Sequence, residues 1–312
     1  MERARSRFMN KKILSFDGGG IRGVISLTFL KNLEKDTTIS ISQKADLIAG
    51  TSTGSIIAAA LGVGMTPDEI LDFYTSMNQK IFKAKEGIDH FLSLKAKYSS
   101  QNLYQALEQA FSSKGFDPQT PLNKLPKQLV IPTTSLDDKE LKRWRTQILT
   151  SDSEISLIDA MMESTAAPTF FPSYNDHVDG GMAANDPSLV AYSIADGAKA
   201  LLSFGTGYTA YNISKGEDWG TLSWILDLSQ KSQASKTPLL TMLFDVQDQL
   251  PGQLCALLLK EQYLRLNFQL SKSVSLSAVS ELPSLIQETE NYIKKHSAEW
   301  KTYCKWVESR FG

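Results

Sequence analysis

The chain has 312 residues and a formal net charge of −1, with 42% hydrophobic and 21% charged residues. These values indicate a folded protein with a substantial core, either one large α/β domain or one domain with an appended helical part. The balanced charge gives no support for nucleic-acid binding. The two cysteines, Cys255 and Cys304, lack metal-ligand spacing and indicate no disulfide framework.

The amino terminus and the apolar runs predict neither a secretory signal nor a membrane span. Residues 1–9 are basic but are not followed by the apolar core of a signal peptide, and we expect them to be disordered. The longest uninterrupted apolar run, residues 56–65, has ten residues, against the roughly 20 that a spanning helix requires. We therefore expect a cytoplasmic protein, although non-classical export stays open.

The first motif is a glycine loop between a strand-like segment, residues 11–16, and a helical one, residues 24–30. The spacing also fits a dinucleotide-binding loop, but the acidic residues Glu34 and Asp36 fall at the end of the helix instead of after a second strand. A glycine loop near a nucleophile favours an oxyanion hole, because its N–H groups can approach a tetrahedral intermediate. The glycines concerned are Gly18, Gly19, Gly20 and Gly23.

The second motif is a serine between a strand and a helix. Residues 45–49 predict a buried strand, residues 55–61 predict a helix of small apolar residues, and a G-x-S-x-G sequence with Gly50, Ser52 and Gly54 joins them. Such a turn holds the serine in a strained conformation that exposes its hydroxyl, and the helix N-terminus favours developing negative charge. Ser52 is therefore the candidate nucleophile.

The rest of the chain alternates predicted strands and helices. A capping box at Thr66 begins a helix to about Met77, and residues 80–97 are interpreted as a surface loop or lid. The leucine-rich segments 238–246 and 254–259 have few flanking basic residues, so a buried core helix is favoured over an interfacial one. The other predicted strands are 128–134, 141–149, 198–204 and 262–268, and the other predicted helices are 100–111, 156–163, 222–230, 238–260 and 284–311.

A serine nucleophile needs a base, and the chain offers three histidines and a carboxylate. His90 lies in a lysine-rich loop and His296 in a polar helical stretch, so both are interpreted as surface residues. His177 lies two residues before Asp179 in an extended segment, where alternate side chains share a face. A Ser-His-Asp triad therefore stays open beside a Ser-Asp pair.

The chain contains, in order, the glycine loop at residues 17–23, the serine motif at residues 50–54 and Asp179-Gly180-Gly181. These three segments resemble the three signatures of the patatin-like phospholipases. Further matches lie at residues 166–171, 181–187, 202–207 and 263–267. The resemblance is close over residues 10–210, which would form the catalytic core, and loose over residues 211–312, which would form a helical part of the same domain. Gly181 stands where many relatives carry alanine, and Asp186 where asparagine is common.

The resemblance implies an α/β fold: a three-layer sandwich with a central mostly parallel sheet, a serine nucleophile elbow and a helical C-terminal cap. It implies a lipid acyl hydrolase of the phospholipase A or lysophospholipase type, with Ser52 as nucleophile and Asp179 as base. Arg22 would brace the glycine loop or contact a lipid phosphate. The oxyanion hole would comprise Gly18, Gly19 and Gly20, and the motif glycines would be Gly23, Gly50, Gly54, Gly180 and Gly181.

The same resemblance implies no metal and no other cofactor. The expected partner is a phospholipid or another acyl lipid, reached through transient peripheral contact with a membrane, and the oligomeric state is left open. Residues 80–97 and the C-terminal helices would wall the substrate cleft. The alternatives are an acyltransferase or thioesterase acting at the same site, and a catalytically silent regulatory or binding protein of the same fold.

Overall fold

The computed structural model describes residues 11–83, 95–138, 141–209, 219–225 and 238–312. The strands of these residues are β1 (Lys12–Phe16), β2 (Leu47–Gly50), β3 (Gln128–Asp138), β4 (Arg143–Thr150), β5 (His177–Asp179), β6 (Ala200–Phe204) and β7 (Tyr263–Leu266). They form one sheet in the order β4-β3-β2-β1-β6-β7, with β5 beside β3. Only the pairs that β3 makes with β4 and β5 are antiparallel. The predicted α/β fold with a central mostly parallel sheet is confirmed.

The helices differ from the predicted ones mainly in their ends. The helix after the capping box continues to Ile81, so the predicted loop 80–97 begins inside it, and the predicted helix 284–311 is two helices that meet at His296. The α-helices of the described residues are α1 (Gly23–Thr37), α2 (Ile41–Lys44), α3 (Thr53–Gly62), α4 (Pro67–Ile81), α5 (Ser100–Ser113), α6 (Leu157–Ser164), α7 (Gly181–Ala184), α8 (Ser188–Ala195), α9 (Thr221–Ile225), α10 (Pro238–Leu259), α11 (Leu282–Lys295) and α12 (Ser297–Phe311).

Apolar side chains on both faces of the sheet are covered by helices. Alternate residues of a strand point to opposite faces, and along β1 Ile13 lies in one buried cluster while Leu14 and Phe16 lie in the other. The smaller cluster includes residues of α8 and α10, and the larger one includes residues of α1, α3, α4, α5, α6, α11 and α12. This arrangement is the expected three-layer sandwich.

Strand pairing brings the three motifs together near the carboxyl ends of β1 and β2. Phe16, the last residue of β1, pairs with Gly50, the last residue of β2, so the glycine loop and the serine turn begin side by side. Asp179 ends β5 and pairs with Thr133 of β3, the strand next to β2. Ligand sites of open α/β sheets commonly lie outside the carboxyl ends of the parallel strands.

Helix α10 is more exposed to solvent than the sequence predicted. We expected the segments 238–246 and 254–259 to lie in the core, but Val246 and Leu257 are 55% and 73% exposed, whereas Cys255 is buried. One side of the helix packs against α7 and α8, and the other presents apolar side chains to solvent. None of the helices in the described ranges is both long and apolar enough to cross a membrane.

Candidate active site

Ser52 lies in a sharp turn between β2 and α3. Its backbone has φ 53° and ψ −123°, a positive φ that is costly for a residue with a side chain. A Cβ atom on Gly50 would lie 1.9 Å from the Gly54 carbonyl oxygen, and one on Gly54 would lie 2.2 Å from the Phe16 carbonyl oxygen. The turn therefore requires both glycines, which is the geometry of a nucleophile elbow.

The hydroxyl of Ser52 donates a hydrogen bond to Asp179, with Oγ 2.6 Å from Oδ2. The other carboxylate oxygen accepts the Gly181 N–H at 2.7 Å, which fixes the orientation of the side chain. Asp179 is only 1% exposed. Burial raises the pKa of Asp179 to about 7, against the opposing effect of its hydrogen bonds with Ser52 and Gly181. The carboxylate that could accept a proton therefore predominates only above about pH 7.

A second serine, which the sequence analysis did not identify, supports the turn. The N–H of Ser52 donates to Ser164 Oγ at 3.0 Å, and that hydroxyl donates in turn to the Pro132 carbonyl at 2.7 Å. Ser164 is the last residue of α6 and carries no motif, so only the packing of α6 beside β3 reveals its contact with Ser52. The Ser52 N–H therefore already has a hydrogen-bond acceptor within the protein.

The glycine loop lies directly beside the nucleophile, since a Cβ atom on Gly18 would be 3.3 Å from Ser52 Cβ. Its three N–H groups differ in what they contact. The Gly18 N–H donates to the Asn185 carbonyl at 3.1 Å, so we correct the expectation that it is a free oxyanion donor. No residue in the described ranges accepts the N–H of Gly19 or Gly20.

Arg22 contacts the glycine loop in the way expected of a brace. Its backbone N–H and its Nε atom both lie within hydrogen-bond distance of the Gly19 carbonyl oxygen, at 3.1 and 3.4 Å. Arg22 also lines the cavity described below, and its positive charge opposes the rise in the pKa of Asp245 that burial causes. Contact with a lipid phosphate stays a prediction.

Ser52, Asp179 and the glycine loop open into a cavity of about 530 Å³. Beyond the polar groups, the walls are mostly apolar and aromatic and come from α3, α4, α5, α10 and the loops after α6 and β7. The apolar lining residues include Ile56, Phe73, Ile81, Phe82, Leu103, Phe170, Phe171, Phe244, Val274 and Leu276. Residues 84–94, most of the expected lid, lie outside the described residues.

Comparison with known proteins places this geometry in a family. A family model described as "Patatin-like phospholipase" matches residues 14–192, a span that contains the glycine loop, Ser52 and Asp179. The chain belongs to the patatin-like phospholipase family. The family resemblance seen in the motifs is thereby confirmed.

Two plant relatives and one solved structure illustrate the similarity. Patatin-like protein 4 of Arabidopsis thaliana is 28% identical, with 75% of this chain and 68% of that protein covered. Patatin-like protein 1 of the same plant is 30% identical, with 69% of this chain and 64% of that protein covered. The chain thus spans about two thirds of their length. The crystal structure of VipD from Legionella pneumophila has a TM-score of 0.39 at 12% identity, covering 90% and 67% of the two chains.

Asp186 is buried beside a cation. Its Oδ2 lies 3.1 Å from Nη1 of Arg265 on β7, and its Oδ1 accepts the Ser188 N–H at 2.8 Å. Arg265 also binds both carboxylate oxygens of Asp17, at 3.1 and 2.5 Å. The matching segment 263–267 therefore supplies the counter-charge that makes a second buried carboxylate tolerable.

Gly181 allows α10 to pack close to the site. A Cβ atom at this position would lie 2.5 Å from the Phe244 ring, so an alanine would require that ring to shift. Phe244 lines the cavity on the inner side of α10. The glycine therefore lets this apolar helix pack directly against the start of α7, two residues after Asp179.

The histidines lie away from the nucleophile wherever the structure describes them. The ring of His177 contacts the Asn175 carbonyl at 2.5 Å and Gln147 Oε1 at 3.1 Å, and it lies 3.7 Å from Glu163. His296 contacts the Tyr292 carbonyl at 3.0 Å. His90 is outside the described residues. Within the described ranges, no group of three or more His, Cys, Asp or Glu side chains is placed to hold a metal ion.

Proposed function

We propose that this protein hydrolyses acyl esters of glycerophospholipids or related lipids through a Ser52-Asp179 dyad and an acyl-enzyme intermediate. Membership of the patatin-like phospholipase family implies a lipid hydrolase. The observation that carries the finer proposal is the 2.6 Å hydrogen bond from Ser52 Oγ to a buried carboxylate in the wall of a mostly apolar cavity. An acyl chain is the kind of group that such a lining would accept.

In the proposed reaction, Ser52 Oγ attacks the ester carbonyl carbon while its proton passes to Asp179 Oδ2. The N–H groups of Gly19 and Gly20 donate to the oxyanion that forms. When the tetrahedral intermediate collapses, the bond to the leaving alkoxide breaks and Asp179 returns the proton to that oxygen. Water then attacks the acyl-enzyme with Asp179 again as base, which releases the fatty acid and restores Ser52.

The raised pKa of Asp179 makes the dyad chemically reasonable. An ordinary carboxyl group, with a pKa near ~4, is a weak base for an alcohol. Burial raises the pKa of this one to about 7, closer to the value at which a general base works well near neutral pH. The price of this basicity is that the carboxylate predominates only above about pH 7, where we expect kcat/KM to reach its plateau.

A panel of defined lipids tests the proposal. Purified protein is incubated with phospholipids, lysophospholipids and acylglycerols, and the free fatty acid and lyso-products are measured by mass spectrometry. In parallel, a fluorophosphonate probe is applied and the labelled residue is located by peptide mapping. We expect fatty acid release together with labelling of Ser52. Absence of both would contradict a serine hydrolase, and transfer of the acyl group to an added alcohol in preference to water would favour the acyltransferase alternative.

Removal of divalent metal should leave the proposed reaction unchanged, because the dyad and the backbone donors need no Lewis acid. We expect turnover of a soluble, monomeric ester in excess EDTA to stay within about twofold of the untreated rate. The ester is chosen to be monomeric because calcium alters the packing of aggregated lipid. A large loss on this substrate that calcium restores would contradict the mechanism.

The outer face of α10 supports the expected contact with a membrane. Every exposed side chain described on this helix is uncharged. The inner face contributes Thr241, Phe244 and Asp245 to the cavity wall, so docking through the outer face would bring the cavity to the lipid surface. The large apolar side chains exposed on the helix are Leu239, Met242, Leu243, Val246, Leu250, Leu257 and Leu258.

Substitution of two of these side chains should separate membrane contact from chemistry. We expect the double variant Val246→Gln, Leu250→Gln to hydrolyse vesicle phospholipid about 30-fold more slowly, because partial burial of two aliphatic side chains in lipid contributes about 2 kcal/mol. Its kcat/KM on a soluble ester should stay within about twofold. Trp144→Gln is the matched control, because Trp144 is 77% exposed on β4, at the opposite edge of the sheet from β7. Equal losses on both substrates would argue against docking.

A further inference from the structure

The peptide that joins Gly18 to Gly19 is held from its carbonyl side. Thr206 Oγ1 donates to the Gly18 carbonyl at 2.9 Å, and Asn185 Nδ2 lies 3.4 Å from the same oxygen. No cis peptide bond occurs in the described residues, and in a trans peptide the C=O and the following N–H point in opposite directions. The Gly19 N–H therefore points away from Thr206. Gly19 lines the cavity, and no acceptor for this N–H lies within the described ranges.

We propose that Thr206 is a positioning residue for the oxyanion hole: its hydroxyl binds the Gly18 carbonyl and thereby holds the Gly19 N–H toward the reacting oxygen. Thr206 is 1% exposed and does not line the cavity, so it acts through the peptide and not on the substrate. This inference rests on the proposed function, because an oxyanion forms only if an ester or a related acyl group reacts.

The position of Thr206 suits this role. It follows β6 between two glycines whose N–H groups are tied to the end of β7. Gly205 donates to the Leu266 carbonyl at 2.8 Å, and Gly207 donates to Asn267 Oδ1 at 2.9 Å. A Cβ atom on Gly19 would lie 2.3 Å from Thr206 Oγ1, so the hydroxyl packs directly against the loop. The hydroxyl is thus carried by a buried and well-anchored segment.

The restraint matters because glycine adopts positive and negative φ about equally readily, so a run of glycines does not by itself fix the orientation of its peptides. If the Gly18–Gly19 peptide rotated, its carbonyl would face the oxyanion and repel it, and one donor would be lost. The peptide that joins Gly19 to Gly20 is held in the same way. Arg22 binds its carbonyl oxygen, and in a trans peptide the Gly20 N–H points in the opposite direction. Loss of an oxyanion-hole donor typically reduces the rate by about 10²–10³-fold. Asn185 still restrains the Gly18 carbonyl when the Thr206 hydroxyl is removed, so we expect a smaller effect.

The test compares Thr206→Val, which keeps the shape but removes the hydroxyl, with Thr206→Ser, which keeps the hydroxyl, and with Thr206→Ala. Rates on a soluble ester are normalised to the sites that a fluorophosphonate labels at completion, so that misfolded protein does not count. We expect T206V and T206A to lose about 10- to 100-fold in kcat per labelled site with KM within threefold, and T206S to stay within threefold of wild type.

A second measurement reports on the oxyanion directly. A trifluoromethyl ketone with a fatty alkyl chain adds to a nucleophilic serine to form a tetrahedral oxyanion, whereas the matching alkane binds only through its chain. We expect the inhibition constant of the ketone to rise in T206V by the same factor as kcat/KM falls, with that of the alkane unchanged. The inference would be overturned if T206V and T206A kept the wild-type kcat per labelled site and the wild-type affinity for the ketone. It would also be overturned if T206V and T206S lost activity equally. A wild-type protein that neither hydrolyses ester nor takes the label would instead overturn the proposed function, and this inference with it.

Discussion

Replacing Ser52 with alanine should abolish ester hydrolysis, with a loss of at least about 10⁴-fold in kcat. The hydroxyl supplies the atom that bonds to the acyl carbon, so the covalent step disappears with it. The measurement is turnover of a soluble ester at pH 8, where Asp179 is mostly ionised, since burial raises its pKa to about 7. Fluorophosphonate labelling should be lost in the same variant.

Ser55→Ala, on the helix that follows Ser52, provides a matched control. Ser55 Oγ donates to the Ser52 carbonyl at 2.6 Å, and Ser55 does not line the cavity. We expect this variant to lose less than tenfold in kcat and to keep full labelling, because the nucleophile itself is intact. A clean preparation of S52A that retained more than a few per cent of wild-type turnover would show that another group is the nucleophile.

Asp179→Asn should be nearly inactive, with a loss of at least about 10³-fold in kcat/KM, whereas His177→Ala should keep at least a tenth of the wild-type value. In a Ser-Asp dyad only the carboxylate takes the proton. In a Ser-His-Asp triad the imidazole takes it, and its removal costs several orders of magnitude. The structure favours the dyad, because Asp179 bonds Ser52 at 2.6 Å while the His177 ring contacts Asn175 and Gln147. A fully folded H177A as inactive as S52A would make His177 the base.

Stability measurements check that D179N is folded. Because burial raises the pKa of Asp179 to about 7, the folded state holds this proton more tightly than the unfolded chain does. Its contribution to stability is therefore full below the unfolded pKa of about 4 and is lost as pH rises through about 7. The amide carries no charge to desolvate, so D179N should melt no lower than wild type at pH 8. A markedly lower melting temperature at that pH would mean that the activity loss reports unfolding.

Local patterns in the sequence were sufficient to predict the elements that carry the chemistry. The G-x-S-x-G sequence requires a turn in which Gly50 and Gly54 approach other backbone, and its position between a strand and a helix is readable from ten or so residues. The turn is a short-range property, because backbone propensity and turn chemistry act between near neighbours. The mostly parallel sheet, in contrast, was implied by the resemblance to the family.

Whether the His177 ring contacts Ser52 could be decided only from the pairing of β5 with β3. Alternation correctly places His177 and Asp179 on one side of an extended segment, which left both open as the base. However, residues two apart in a strand are separated by roughly 6.6 Å along its axis. Since Asp179 pairs with Thr133 and His177 with Ser135, the imidazole is displaced along β3, where it meets Gln147 and not the nucleophile.

Other parts of the site depend on contacts between residues distant in the chain. Ser164 receives the Ser52 N–H, and Thr206 and Asn185 bind the Gly18 carbonyl. Asn185 and Thr206 lie in segments that resemble the family, but no local pattern predicts these contacts, because each forms only once the sheet has brought distant parts of the chain together. For the same reason, the leucines of α10 were assigned to the core. Their spacing predicts a helix with an apolar face, but only packing against α7 and α8 decides which face is covered and which faces solvent.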